Sequence, residues 1–177
     1  MFDNFPPVET DRVRLRCAAL RDAAAISALM TPEISSWLAS WPFPFTQGMA
    51  EARIRAMREM AERRDALSCV IVSKEGEEIL GWITLTRDTE DRCRGSLGYW
   101  LGTAHHGKGL ACEAVSALLP AGFDWLSLDV IEAGAQLENI ASFAVMRACG
   151  LIEMGERAIY APARGREELC RFYEVRR

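Results

Sequence analysis

The apolar positions of this chain change period several times, and each change marks an element. RVRLRCA (12 to 18) alternates Val13, Leu15 and Cys17 with arginines, the period of a half-buried strand. LRDAAAISALM (20 to 30) moves to helical spacing, with Asp22 in its first turn. In SSWLASWPFPFT, Pro42 and Pro44 forbid a continuing helix. This aromatic stretch has two readings: a surface that binds something, or a segment that packs as a lid or under a core. Thr46 is a candidate cap for a helix over about 47 to 64, with Met49, Ile54, Met57 and Met60 on one face.

Three strand-like runs follow: ALSCVIVS (66 to 73), EEILGWITLTR (77 to 87) and RGSLGYWLG (94 to 102). KEGE joins the first two as a tight hairpin, with Gly76 available for positive φ. The polar DTEDRC joins the second and third, so an antiparallel meander is expected. GLACEAVSALLPAGFDWL predicts a helix with Leu110, Ala114, Ala117, Leu118 and Ala121 on one stripe. Pro120 removes the bond to the Ser116 carbonyl, which predicts a kink or an early end. LSLDVIEAGA (126 to 135) predicts a strand, parallel to its predecessor if the helix between them is a crossover. ENIASFAVMRACG (138 to 150) predicts a helix with Asn139 at its N-cap and Gly150 at its C-cap. LIEMGERAIYA and ELCRFYEVR close the chain as strands around PARGRE. The pattern is α+β, with one parallel crossover in a mixed sheet.

Composition narrows the class. The 177 residues suit a single domain, 1 to 177, with half the residues hydrophobic and 26% charged. A net charge of -4 argues against a broad nucleic-acid surface. The six cysteines are scattered, with no C-x-x-C and no zinc-like pairing with histidine, so no metal site is expected and the thiols are read as reduced. MFDNFPPVETDR lacks a basic-then-apolar signal pattern, and no apolar run approaches the ~20 residues of a membrane span. A cytoplasmic protein with no membrane partner is the expectation.

The chemistry gathers in AHHGKGLACEA (104 to 114), between a strand and a helix. A Gly-containing turn at a helix N-terminus offers unpaired amides and a positive partial charge to an anion. It is neither a P-loop nor a dinucleotide fingerprint, since 107 to 112 reads GKGLAC. A tight turn with no ligand explains GKG nearly as well.

The setting of that turn adds a resemblance. GYWLGTAHHGKGLACEAVSALL resembles the acetyl-CoA-binding core of the GNAT superfamily of N-acetyltransferases, in the branch that includes ribosomal-protein N-terminal (alanine/serine) acetyltransferases. ETDRVRLRCAALRDAAAI, WPFPFTQGMAEARI and VIEAGAQLENIASFAVMRACGLIEMGE extend the likeness over nearly the whole chain, in the same order. The resemblance implies a mostly antiparallel sheet with one splayed parallel strand pair and flanking helices. It implies that backbone amides of His106, Gly107, Lys108, Gly109, Leu110 and Ala111 hold the CoA pyrophosphate. The pantetheine arm would pair with the strand end at Tyr99, Trp100 and Leu101 and contact Asn139. Ser142 would lie near the sulfur, as a candidate proton donor.

The chain departs from the family in two places. His106 stands where Arg or Gln is common, and Ser96 stands where many members of the branch carry an acid. With that acid missing, Glu132 is the candidate base, beside a water held by backbone carbonyls; Tyr99, Tyr160 and Glu33 are weaker candidates. His106 has two readings, a charge beside the diphosphate or an exposed loop residue, and His105 is read as the latter. Lys108 is read equally as a phosphate contact or a solvated lysine. The implied activity is direct acetyl transfer from acetyl-CoA to a primary amine, on a protein N-terminus or a small molecule. The alternative is an acetyl-CoA-binding regulatory module of the same fold. Monomer and homodimer both stay open.

Overall fold

The computed structural model describes residues 5–177. In chain order the elements are β1 (Val8–Glu9), β2 (Val13–Cys17), α1 (Ala23–Leu29), α2 (Pro32–Ser36), α3 (Gln47–Glu62), β3 (Ala66–Ser73), β4 (Ile79–Arg87) and β5 (Arg94–Leu101). Then come α4 (Leu110–Trp125), β6 (Val130–Gln136), α5 (Ile140–Ala148), β7 (Ile152–Ala161) and β8 (Arg166–Arg176). The strands form one sheet in the order β1-β2-β3-β4-β5-β6-β8-β7. Every neighbouring pair is antiparallel except β5 and β6, which α4 joins as a crossover. That is the mixed sheet expected from the sequence.

Each face of the sheet buries its own helical layer. On one face α4 and α5 cover Leu15, Leu67, Ile83, Leu85 and Ile131. On the other, α1 to α3 and the Trp-Pro segment cover Val70, Val72, Trp82 and Trp100. This explains why ALSCVIVS reads as a continuous apolar run: a central strand covered on both faces has no solvent side. Trp41 sits edge-on to Trp82 and Trp100, with centroids 5.5 and 5.1 Å apart, so this part of WPFPF packs in the core while Phe43 stays exposed.

Several local expectations hold. Thr46 Oγ1 accepts from Met49 N, and Asn139 Oδ1 accepts from Ser142 N at 3.1 Å. Gly150 takes φ +84°, and Leu151 N reaches back to the Met146 carbonyl, closing α5. Others are corrected. In the KEGE hairpin the left-handed residue is Glu77, at φ +54°, and not Gly76. In α3 the buried positions are Ala50 and Ile54, with Met49 exposed, so the face is rotated from the methionine stripe. A short helix, α2, precedes the prolines, started by Thr31, whose Oγ1 accepts from Ile34 N, and by Pro32 at its first position. The strand expected from 126 begins only at Val130; Ser127 has φ +53°, although Leu126 and Leu128 remain buried.

Pro120 neither ends nor shortens α4, which runs 16 residues to Trp125. Pro120 and Ser116 both lie on the exposed side, so the carbonyl freed at Ser116 meets water. Leu118, Leu119 and Gly122 hold the other side in the core. Packing carries the helix through the residue that propensity would use to stop it.

Gly81 of β4 lies close against the backbone of β5. A Cβ there would lie 2.1 Å from the Trp100 carbonyl oxygen and 2.8 Å from Leu101 Cα, both backbone atoms with no rotamer to yield. Gly81→Ala is therefore expected to destabilise the protein by about 1–3 kcal/mol, the usual range for overpacking. Urea denaturation should show this as a lower midpoint at unchanged slope.

Candidate active site

The parallel pairing of β5 and β6 is short. It joins Arg94 to Val130, Gly95 to Ile131 and Ser96 to Glu132, and then stops. Beyond that point β5 stays with β4 as far as Leu101, and β6 stays with β8 as far as Gln136, so the two strands part. Gly102 N donates to the Leu80 carbonyl. By antiparallel alternation the backbone groups of Trp100 also point at β4, whereas those of Leu97, Tyr99 and Leu101 point into the gap. The expected role of Trp100 as a backbone partner is corrected by this register: its amide faces β4, and its side chain lines the cavity described below.

The gap leads to the glycine turn. Gly107 and Gly109 adopt φ of +71° and +76°, a region that disfavours any residue with a Cβ. The amides of Gly107, Lys108 and Gly109 donate to no carbonyl among the described residues. Gly109 is the N-cap of α4, so the first amides of that helix add to the same unpartnered set. An arginine braces the turn from outside. Arg12 Nη1 donates to the Lys108 carbonyl at 2.8 Å, while its Nη2 pairs with Glu113 Oε2 at 2.7 Å. Glu113 also accepts from Thr10 Oγ1 and Arg12 N, tying α4 to the start of β2.

His106 is exposed, but its ring turns back on the strand end. Its Nε2 lies 2.9 Å from the Leu101 carbonyl, so Nε2 carries the proton and the ring closes one of the open acceptors of β5. His105 is not a free loop residue either; its ring is mostly buried, with Nε2 3.7 Å from Glu78 Oε1.

At the mouth of the gap stand Tyr99, Asn139 and Ser142. The Tyr99 hydroxyl is 2.9 Å from Ser142 Oγ and 3.2 Å from the Ser142 carbonyl. Burial pushes the phenol well above its ordinary pKa, so Tyr99 holds its proton at all physiological pH. Asn139 uses its Oδ1 to cap α5, and its Nδ2 has no partner among the described residues.

A cavity of about 360 Å³ passes through this opening. Tyr99, Asn139 and Ser142 line one end; Trp41, Trp82, Trp100 and Arg53 line the far side. The β7–β8 hairpin closes another wall. Arg164 donates to the carbonyls of Ser35 and Leu38 and holds Glu168 with Nε and Nη2, both at 2.6 Å. Ala163 N donates to the Ala39 carbonyl, so the hairpin tip clasps the segment after α2. Neither Arg53 nor the Arg164–Glu168 pair stands out in the sequence. PARGRE reads as a turn, and the spacing of Arg164 from Glu168, the residue just after it, is the one available signal.

Other candidates lie elsewhere. Glu132 sits at the fork of the strands, between Arg157 Nη2 at 2.5 Å and Arg94 Nη2 at 3.4 Å, and does not line the cavity. Tyr160 and Glu33 do not line it either. No cluster of His, Cys, Asp and Glu suited to a metal exists among the described residues. No described helix is long and apolar enough to cross a membrane.

Comparison with known proteins identifies the class. Residues 12–152 match the acetyltransferase (GNAT) domain family, and the chain belongs to that family. It is 30% identical, over 158 residues, to the uncharacterized N-acetyltransferase p20 of Bacillus licheniformis, covering 89% of this chain and 88% of that one. The ribosomal-protein-S5-alanine acetyltransferase of Vibrio fischeri has the same fold, with TM-score 0.84 and 22% identity over 97% of each chain. So does the microcin C7 self-immunity acetyltransferase MccE, solved with acetyl-CoA and AMP, with TM-score 0.82 and 21% identity over 95% of this chain and 94% of that one. The protein is an acetyl-CoA-dependent N-acyltransferase. Its own geometry fits that donor: an unpaired strand edge for an amide-bearing arm, leading to unpaired amides for a diphosphate.

Glu168 sets a pH dependence. Arg164, with help from Arg166 and Gln136, lowers its pKa from 4.5 to about 2. A depressed carboxylate contributes stability above its unfolded pKa and loses it as pH falls through the folded value. Stability should therefore decline between about pH 4.5 and pH 2, and Glu168→Gln should remove that part of the decline. Urea midpoints measured across this range for both proteins check it.

Proposed function

We propose that the protein transfers acetyl from acetyl-CoA directly to a primary amine in a ternary complex. The observation that carries this reading is the parting of β5 and β6 beyond Ser96 and Glu132, with the Tyr99–Ser142 pair at its mouth. In this reading the amides of Gly107, Lys108, Gly109, Leu110 and Ala111 hold the diphosphate. His106 acts indirectly, by fixing the strand end through the Leu101 carbonyl. Lys108 adds its charge at the exposed turn. Leu97 and Tyr99 offer backbone groups to the pantetheine arm, and Asn139 offers Nδ2.

The donor supplies an acyl carbonyl on a sulfur leaving group. Amide formation then requires a neutral amine, and a proton for the departing thiolate. Tyr99 is suited to the second task, because its phenol stays protonated and Ser142 is in place to pass it another proton. Among the described residues lining the cavity or the fork, no carboxylate is free for the first task. Glu132 is held by two arginines, and Glu168, the one acid lining the cavity among the described residues, is kept ionised by Arg164. The amine is taken up neutral and its proton passes to water.

Ser96, together with this missing base, favours a second reading: a module that binds acetyl-CoA without efficient turnover. Thiol release from acetyl-CoA across peptides and small amines separates the two. Turnover supports the enzyme, while tight binding by calorimetry with no turnover supports the module. For the enzyme, Tyr99→Phe should lower kcat about 10²-fold, near the low end for a lost general acid. The affinity for acetyl-CoA should hardly change, and an unaltered kcat would remove Tyr99 from the mechanism.

A further inference from the structure

The acceptor side of the cavity holds a cation that no acid among the described residues answers. Arg53, on α3, places its guanidinium carbon 4.1 Å from the centroid of Trp41 and donates one hydrogen bond, to the Ser40 carbonyl. Burial alone shifts its pKa, downward, with no carboxylate to offset it. Its surroundings make this unusual. Arg164 and Arg16, also partly buried, are matched by Glu168 and by Asp22. Desolvating a guanidinium without a counter-charge is unfavourable unless a ligand supplies one.

The wall beside it adds two unpartnered polar groups. Trp100 Nε1, which can only donate, and Thr84 Oγ1 are buried without a partner among the described residues, and both side chains belong to the cavity wall. Glu168, opposite, has its charge met by Arg164 and Arg166 and has none left to attract a cation. A polyamine would find no anion here. Space limits the acceptor too. The cavity of about 360 Å³ also has to take the thioester end of the donor, and the β7–β8 hairpin is pinned across it by Ala163 N to Ala39 and Arg164 to Leu38. A short molecule fits such a space better than a polypeptide end.

We propose that the acceptor is a small amine carrying its own anionic group, a carboxylate or phosphoryl group held by Arg53, with a flat apolar part against Trp41, Trp82 and Trp100. Arginine suits this because its planar fork binds either anion with two parallel hydrogen bonds. The inference rests on the acetyl-transfer reading above and adds the acceptor class to it.

The test uses the purified full chain, acetyl-CoA and a library of amines read by thiol release and mass spectrometry. The library holds anionic amines with neutral isosteres, such as L-phenylalanine with its amide and 4-(aminomethyl)benzoate with 4-methylbenzylamine. Aminoalkyl phosphates form the phosphoryl arm, beside polyamines and peptides with free N-termini. The expected result is that the best acceptors are small and anionic, at least tenfold better in kcat/KM than their isosteres. Arg53→Gln should then raise KM for the best acceptor about tenfold to a hundredfold, the loss of one charge-assisted contact. Arg53→Lys should recover part of it, and calorimetry with acetyl-CoA verifies that each variant is folded. Best acceptors that are neutral, polycationic or peptidic would overturn the inference and leave acetyl transfer standing, as would an Arg53→Gln variant with unchanged KM. Acetyl-CoA binding with no transfer to any amine would overturn both.

Discussion

Two neighbouring strands in this sheet are claimed by different partners, and the site exists because neither partner lets go. β5 is held to β4 through Leu101, and β6 to β8 through Gln136. Their own pairing ends at Ser96 and Glu132. Past that fork the backbone groups of Leu97 and Tyr99 have no strand to bond. An edge of this kind inside a protein is unfavourable when left empty, and useful when a ligand rich in amides can complete it. Glu132 stands at the branch point, bridged to Arg94 on one strand side and Arg157 on the other. Its position suits a pin for the fork better than a base.

The other parts of the site are arranged around that opening. The crossover from β5 to β6 has to pass through α4, so the N-terminus of a helix necessarily arrives at the open end of β5. Gly107 and Gly109 turn the chain there with left-handed φ, and Arg12 and Glu113 hold the turn to β2. His106 tethers the same turn to Leu101. The amides of the turn are thus held from both sides. Preorganisation of this kind lowers the ordering cost of binding.

On the opposite face the polar economy is different. The tryptophans fill the core and also form the wall of the cavity, and the clasp of Arg164 and Ala163 on the α2 segment makes that wall continuous with the hairpin. Arg164 and Glu168 neutralise each other there, whereas no acid among the described residues pairs with Arg53. Its presence beside an aromatic wall gives this side of the cavity a character quite unlike the backbone-dominated gap between β5 and β6.

The periodicity of the chain by itself determined the longer strands and helices, though not β1 or α2, because burial on one face or on two writes directly into the spacing of apolar residues. The caps at Thr46, Asn139 and Gly150 were equally legible, since each depends on one residue and its near neighbours. Local rules misjudged Pro120 and Gly76, where packing or hairpin geometry outweighed propensity. The glycine turn and the serine of α5 were visible as a spaced pattern. What only the tertiary structure decided is everything that depends on distance across the fold. The pairing of Tyr99 with Ser142, 43 residues apart, is one case, and the capture of Glu132 by two arginines is another. The isolation of Arg53 is a third. A sequence records which charges a chain carries, but whether a given charge has a partner depends on which elements the fold brings beside it.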